Sequence, residues 1–377
     1  MSRKSVCLLL LLALTVSGCW DRIEIEERAY VLGMAIDLPK DNKMERKVTI
    51  AIPSVKGGAT SGSSGGGSSK VQLNTFSAVA PTIYEAVMPM QNKLSKTLFF
   101  GHLKVLILSA DCAGGSLAPW LDFFDRFANI PRAVMIAVCQ GEADKTFKNA
   151  FSSEQLPPLY LYQLLMDTSK YGYAPHRNSN EILTYINEAG AGFLLPQIKV
   201  NKDNLEVAGS AVLKGNKMVG TLNQKETRGV LWLTGEVHGG AITLPAARGR
   251  NRLSFAIQST KRMIKPHYKR DGINFELKIV VEGSLEEYFG NRIVLDTKTL
   301  AQIEEQLEDV VKGEIACAVE KLQSQYKTDA IGLGDYVRKW NPKRYHEAGA
   351  WNDYFAEKVK IEIPDLAVQV RRTGVLR

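Results

Sequence analysis

Apolar positions along the chain fall into two kinds of run. Short runs rich in Val, Ile, Leu and Ala, bounded by Gly, Pro, Asn or Asp, read as strands; longer runs with apolar residues three and four apart read as helices. The first region, residues 19–150, opens with strands over 29–38 and 47–55, separated by the turn-like Pro39-Lys40-Asp41-Asn42. A strand at 71–79, a helix at 81–94, a strand at 103–109, a helix at 116–127 and a strand at 133–139 follow. Such alternation predicts βαβ crossovers with helices packed on a sheet. Pro81 suits the first turn of its helix, where a missing N–H has no partner to lose. Eleven of the thirteen residues 57–69 are Gly or Ser, which predicts a flexible surface loop spanning about 20 Å.

A middle region, 151–235, carries helical patterns at 159–168 and 181–188, then strand runs at 194–200, 205–213 and 217–222. Gly215-Asn216 is a hairpin turn signal between the last two, and a short helix at 224–232 closes the unit. The third region, 236–377, holds strands at 241–244, 253–263 and 274–282, the last two joined at Asp271-Gly272. A long helix over 297–327 then shows one apolar stripe: Leu300, Ile303, Leu307, Val310, Val311, Ile315, Ala318, Leu322 and Tyr326. Thr299 with Gln302 has the form of a capping box, and Gly332 with Gly334 marks a stop. A final strand at 358–370 completes a sheet under that helix. The predicted fold class is therefore α+β: three mixed α/β domains, each a sheet flanked by helices, with a long amphipathic helix packed on the C-terminal sheet.

The N-terminus carries a different pattern. Arg3 and Lys4 precede an apolar run over 6–16, and Ser17 and Gly18 precede Cys19, the layout of a secretory signal peptide. Eleven apolar residues fall short of the roughly 20 needed to cross a bilayer as a helix, so residues 1–18 read as a cleaved export signal. The ending Val16-Ser17-Gly18-Cys19 resembles the lipobox of bacterial lipoproteins. That resemblance implies cleavage between Gly18 and Cys19 and an S-diacylglycerol, N-palmitoyl cysteine at Cys19. One acyl chain holds a protein only marginally while two hold it firmly, so lipid on Cys19 would localise the whole chain to the outer face of a cell membrane.

Charge changes the picture little. The chain has 48 Lys and Arg against 40 Asp and Glu; loss of Arg3 and Lys4 with the signal leaves 46 against 40, a net +6. The clusters are Arg248, Arg250 and Arg252; Lys261, Arg262, Lys265, Lys269 and Arg270; and Arg371, Arg372 and Arg377. An exported protein meets anionic lipid headgroups before nucleic acid, although solvated strand faces account for such clusters as well. Beyond Cys7 and Cys19, Cys112, Cys139 and Cys317 remain, an odd number that gives no disulfide framework. All are expected as buried free thiols.

Little in the chain asks for catalysis. The five histidines, His102, His176, His238, His267 and His346, lie far apart without metal-type spacing. No Gly-x-Ser-x-Gly elbow, dinucleotide fingerprint or phosphate loop is present. Carboxylate pairs such as Asp122 with Asp125 and Glu304 with Glu305 read as solvated helix faces. No cofactor is expected.

After the lipobox the chain reads Cys19-Trp20-Asp21-Arg22-Ile23-Glu24-Ile25-Glu26-Glu27-Arg28-Ala29-Tyr30-Val31-Leu32-Gly33-Met34-Ala35-Ile36-Asp37. Gly101-His102-Leu103-Lys104-Val105, Asp122-Phe123-Phe124-Asp125-Arg126 and Val207-Ala208-Gly209-Ser210-Ala211-Val212-Leu213 extend the same character through the chain. Together these resemble the Ger(x)C family, the C-subunit lipoproteins of spore germinant receptors. The resemblance implies a three-domain, non-catalytic subunit that works beside integral membrane A and B subunits in the spore inner membrane, where the complex senses small nutrients. The mixed charges of Asp21, Arg22, Glu24, Glu26, Glu27 and Arg28 suit a wet interface, and their place next to the lipid makes them candidates for partner contact; a plain spacer is the competing reading. Two other functions share the signal and lipid: a substrate-binding lipoprotein of a transporter, expected to show two similar lobes around a hinge, and a lipid-anchored cell-wall enzyme, expected to show paired carboxylates across a cleft.

Overall fold

A computed structural model describes residues 24–41, 44–55, 71–127, 129–148, 156–187, 192–201, 204–244, 253–288 and 297–372. The signal segment, Gly18, Cys19, Asp21, Arg22, the Gly/Ser-rich 57–69 and the arginines at 248, 250 and 252 lie outside these residues. Among the described residues no helix is long and apolar enough to cross a membrane.

The chain enters through β1 (Arg28–Tyr30) and β2 (Gly33–Asp37), returns along β3 (Arg46–Val55) and β4 (Val71–Ala80), and turns into α1 (Ile83–Gln91). Thr82 starts that helix by accepting the Glu85 N–H at 3.2 Å. Then come β5 (Thr97–Phe99), β6 (Val105–Ser109), the short α2 (Ala110–Ala113), α3 (Ala118–Arg126), β7 (Met135–Gln140) and the single turn α4 (Lys145–Lys148). Two longer helices, α5 (Pro157–Lys170) and α6 (Ser179–Asn187), precede the meander β8 (Gly192–Val200), β9 (Leu205–Lys214) and β10 (Lys217–Leu222).

Eight of these strands form one sheet in the order β10-β9-β8-β7-β6-β2-β3-β4. Its central strands are apolar throughout because both faces are covered. In β7, Ile136 and Val138 point into a core with α1, α3 and α6, while Met135, Ala137 and Cys139 point into a second core with Leu161 and Leu165 of α5. The boundary expected at residue 150 therefore does not separate two sheets. Strand β8 pairs in parallel with β7, Val138 opposite Gln197, and the strands of the middle region extend the sheet of the first.

A helix, α7 (Gln224–Thr234), leaves this sheet. Asn223 and Glu226 close its start as a capping box, and Gly235, at φ 75°, ends it in the left-handed conformation that glycine adopts without penalty. The second sheet runs β11 (Ala241–Leu244), β12 (Leu253–Tyr268), β13 (Ile273–Tyr288) and, arriving last, β14 (Val359–Arg372) beside β13 in parallel. Between β13 and β14 lie α8 (Thr297–Glu320), its wider-wound continuation Lys321–Gln325, and three short helices, α9 (Leu333–Trp340), α10 (Pro342–Ala348) and α11 (Trp351–Lys358). The mixed α/β class and the long helix over the C-terminal sheet stand as expected.

The stripe of α8 is buried at Ile303, Leu307, Val311, Ile315, Ala318 and Leu322, and it meets α7 as well as the sheet. Thr299 is not a cap, because the helix begins two residues earlier at Thr297. Cys112 and Cys139 are buried, and burial pushes both thiols up to about 12. Cys317 is exposed, against expectation, because it sits off the stripe, on the solvent side of α8.

Candidate functional site

At the N-terminal segment, Glu24, Ile25, Glu26 and Glu27 are exposed, Ile25 at 75%. Ile25–Glu27 forms one 3₁₀ turn, held by the Glu27 N–H on the Glu24 carbonyl at 3.1 Å and by the Tyr30 hydroxyl donating to the Ile25 carbonyl at 3.2 Å. Arg28 lies over the Phe99 ring, 4.5 Å from its centroid. Behind it β1 pairs with β5, Tyr30 opposite Phe99. Tyr30, Phe99 and His102 pack edge-on, with centroids 5.0 to 5.9 Å apart. Gly101 is required there, since a Cβ would collide with the Phe99 ring. Two segments seventy residues apart in sequence, the one after Cys19 and Gly101-His102-Leu103-Lys104-Val105, thus build one surface. Two three-residue strands are too short to be legible in the sequence, so this meeting is visible only in the fold.

Asp37, at the end of β2, faces inward. Its carboxylate accepts the N–H groups of Ala143 at 2.5 Å and Asp144 at 3.0 Å, tying the turn after β7 to the end of β2. Burial pushes the Asp37 carboxyl up, against the pull of those two N–H groups. The buried Asp144 carboxylate receives Lys47 at 2.7 Å and also Lys148. Burial opposes its charge, but the two lysines prevail and hold it below the ordinary carboxylate range. A buried acid held by two lysines is a brace between β3 and α4.

Asp122 and Arg126 form an exposed ion pair one turn apart on α3 at 2.8 Å. Next to it a half-open groove of about 370 Å³ runs between α1 and α3, lined by Tyr84, Trp120, Phe123 and Phe127. Its aromatic lining suits an apolar group, with Thr82, Asp122 and Arg126 at its polar edge. Among the described residues no three His, Cys, Asp or Glu side chains gather as a metal site.

The two sheets are joined by a helix pair. The Arg228 guanidinium of α7 forks onto the Glu314 carboxylate of α8, and the Trp232 indole N–H donates to the same carboxylate at 3.0 Å. Gly229 lets the helices touch, since a Cβ there would strike the Glu314 carbonyl. The Tyr326 hydroxyl donates to the Thr221 carbonyl of β10 at 2.7 Å, and the Gly192 N–H donates to the Asp329 carbonyl at 3.1 Å. Asp329 in turn accepts the N–H groups of Ile331, Gly332 and Gly334 and the Trp351 indole N–H, which fixes the start of α9 against the first sheet.

The fold defines a class: a mixed α/β protein whose eight-stranded and four-stranded sheets are locked through a helix pair, with a small two-stranded sheet at the N-terminal entry. The sequence pattern described as Spore germination protein N-terminal domain matches residues 21–200, and that described as Spore germination B3/GerAC like, C-terminal, matches residues 208–374. The chain belongs to the Ger(x)C family of spore germination proteins. It is similar to Spore germination protein YndF of Bacillus subtilis (strain 168), 27% identical with 93% of this chain and 92% of that protein covered. It is also similar to Spore germination protein B3 of the same organism, 26% identical with 94% of each covered. The fold matches the crystal structure of the GerBC protein with a TM-score of 0.61 at 21% identity, covering 90% of this chain and 97% of that one.

Proposed function

We propose that the chain is the lipid-anchored C subunit of a nutrient-responsive spore germinant receptor, held at the outer face of the spore inner membrane through Cys19 beside integral membrane A and B subunits. The observation that carries this reading is where the family match begins: residue 21, two positions beyond the lipobox thiol, with the two matched regions together running to residue 374. Everything after the lipid is then receptor subunit. The subunit acts by contact and not by catalysis, which agrees with a surface of aromatic grooves and braced, inward-facing carboxylates. The unequal sheets, eight strands and four, differ from the two matched lobes expected of a transporter's binding lipoprotein.

The experiment is Cys19→Ala in spores, with membrane fractionation and a germination assay for each nutrient. The expected outcome is loss of the chain from the membrane fraction and loss of one nutrient response. Unchanged germination to every nutrient would refute the proposal.

A further inference from the structure

The β12–β13 hairpin and the short helices after α8 together build a basic, aromatic surface that the anchor reading does not use. At the hairpin tip Tyr268, Lys269 and Arg270 are exposed, and beside them stand Lys339 and Trp340 of α9 and Lys343 of α10. Trp340 is 67% exposed and Tyr268 41%. Two exposed aromatic rings among four cations make one amphipathic patch, and the Lys339 ammonium lies 5.6 Å from the Trp340 ring centroid.

The surface is built, not accidental. Arg344 of α10 donates to the Lys269 carbonyl at 2.6 Å and Asn341 bonds the Tyr268 side chain, so hairpin and helices move as one. The neighbouring carboxylates are taken: Asp335 by Arg338, Glu347 by Arg344, and Glu276 by His267. Among the described residues, Lys269, Arg270, Lys339 and Lys343 make no ion pair with a carboxylate; Asp271 at the tip and Glu357 of α11, next to the Lys358 that packs on Gly272, are the nearby exposed acids.

Its position gives the occupant. Strands β2, β6, β7 and β8 run parallel, so Gly33, Val105, Met135 and Gly192 lie toward one end of the large sheet. Residues 24–30 enter β2 from that end, with Ile25 exposed. The Gly192–Asp329 contact ties the start of α9 to the same end, and Arg262 of β12 bonds the last turn of α7 through the Leu233 carbonyl. The cationic patch and the point where the lipid-bearing segment joins the fold are thus held at one end of the molecule.

We infer that this end is a second membrane contact, in which Lys269, Arg270, Lys339 and Lys343 meet anionic phospholipid headgroups and Trp340 and Tyr268 enter the interfacial layer. The inference rests on the anchor reading for its orientation, and it adds that the domain lies on the bilayer instead of swinging from a tether. Lipid plus a basic patch is a two-signal attachment.

The test uses the chain from residue 19 with Cys19→Ser, so that no acyl chain contributes, in co-sedimentation with phosphatidylglycerol vesicles and with phosphatidylcholine vesicles. The expected result is binding to the anionic vesicles alone, lowered about fivefold for each cation removed in Lys269→Ala, Arg270→Ala and Lys339→Ala combined, and lowered again by Trp340→Ala. These positions are exposed, and unchanged circular dichroism confirms folding. Equal binding by parent and combined variant, or no preference for phosphatidylglycerol, overturns the inference. So does a variant that keeps vesicle binding but loses a receptor subunit, which would make the patch a protein contact. Each result leaves the anchor reading to the separate Cys19→Ala fractionation.

Discussion

Asp37 and Asp144 sit side by side in the fold, yet their pKa values move in opposite directions. For Asp144 the native pKa lies below its ordinary 3.8, so its contribution to stability is complete above 3.8 and is lost as pH falls through the native value. Asp37 has a native pKa above 3.8, so ionising it costs stability as pH rises through that value. The difference between the chain and Asp144→Asn isolates the first effect. We expect that difference, read from denaturant midpoints, to be constant from neutral pH down to the ordinary carboxylate range and to shrink below it. A difference that grows on acidification would contradict the lysine brace. Neither role was legible in the sequence: Asp37 ends an apolar strand and Asp144 follows a glycine-containing turn, and only the fold brings Lys47, 97 residues away, onto Asp144.

At the scale of elements the α7–α8 pair decides whether the two sheets act as one body. Gly229→Ala puts a methyl against the Glu314 carbonyl, and overpacking of this kind costs about 1–3 kcal/mol. Equilibrium unfolding should show a lowered midpoint with a broadened or split transition as the sheets uncouple. A single transition at the parent midpoint would mean that the crossing is looser than its geometry. Long, strongly periodic elements were legible: six of the nine stripe residues are buried and Leu300, Val310 and Tyr326 are half-buried, and β10 and β11 run over the predicted positions. The continuity of the large sheet was not, because the β7–β8 pairing joins residues about sixty apart and leaves no local mark. Helices α9 to α11 escaped because each is eight residues or fewer, too short to show a helical period. Cys317 was readable in principle, since two residues beyond Ile315 is about 200° around a helix, away from the stripe.

The whole molecule presents one end where the N-terminal segment enters, where Tyr30, Phe99 and His102 cluster, and to which α9 and the hairpin are tied. Glu24, Glu26, Glu27 and Arg28 lie at this entry, and the proposed anchor at Cys19 would put them where a membrane partner is met first. The resemblance to receptor lipoproteins, the lipobox and this end-on arrangement make one account: a subunit that works at the membrane surface by holding other subunits. Affinity capture of the chain from detergent-solubilised spore membranes, with identification of what comes with it, tests this most directly. The account predicts recovery of both integral membrane subunits of one receptor; capture of abundant, membrane-derived chain with neither of them would contradict it.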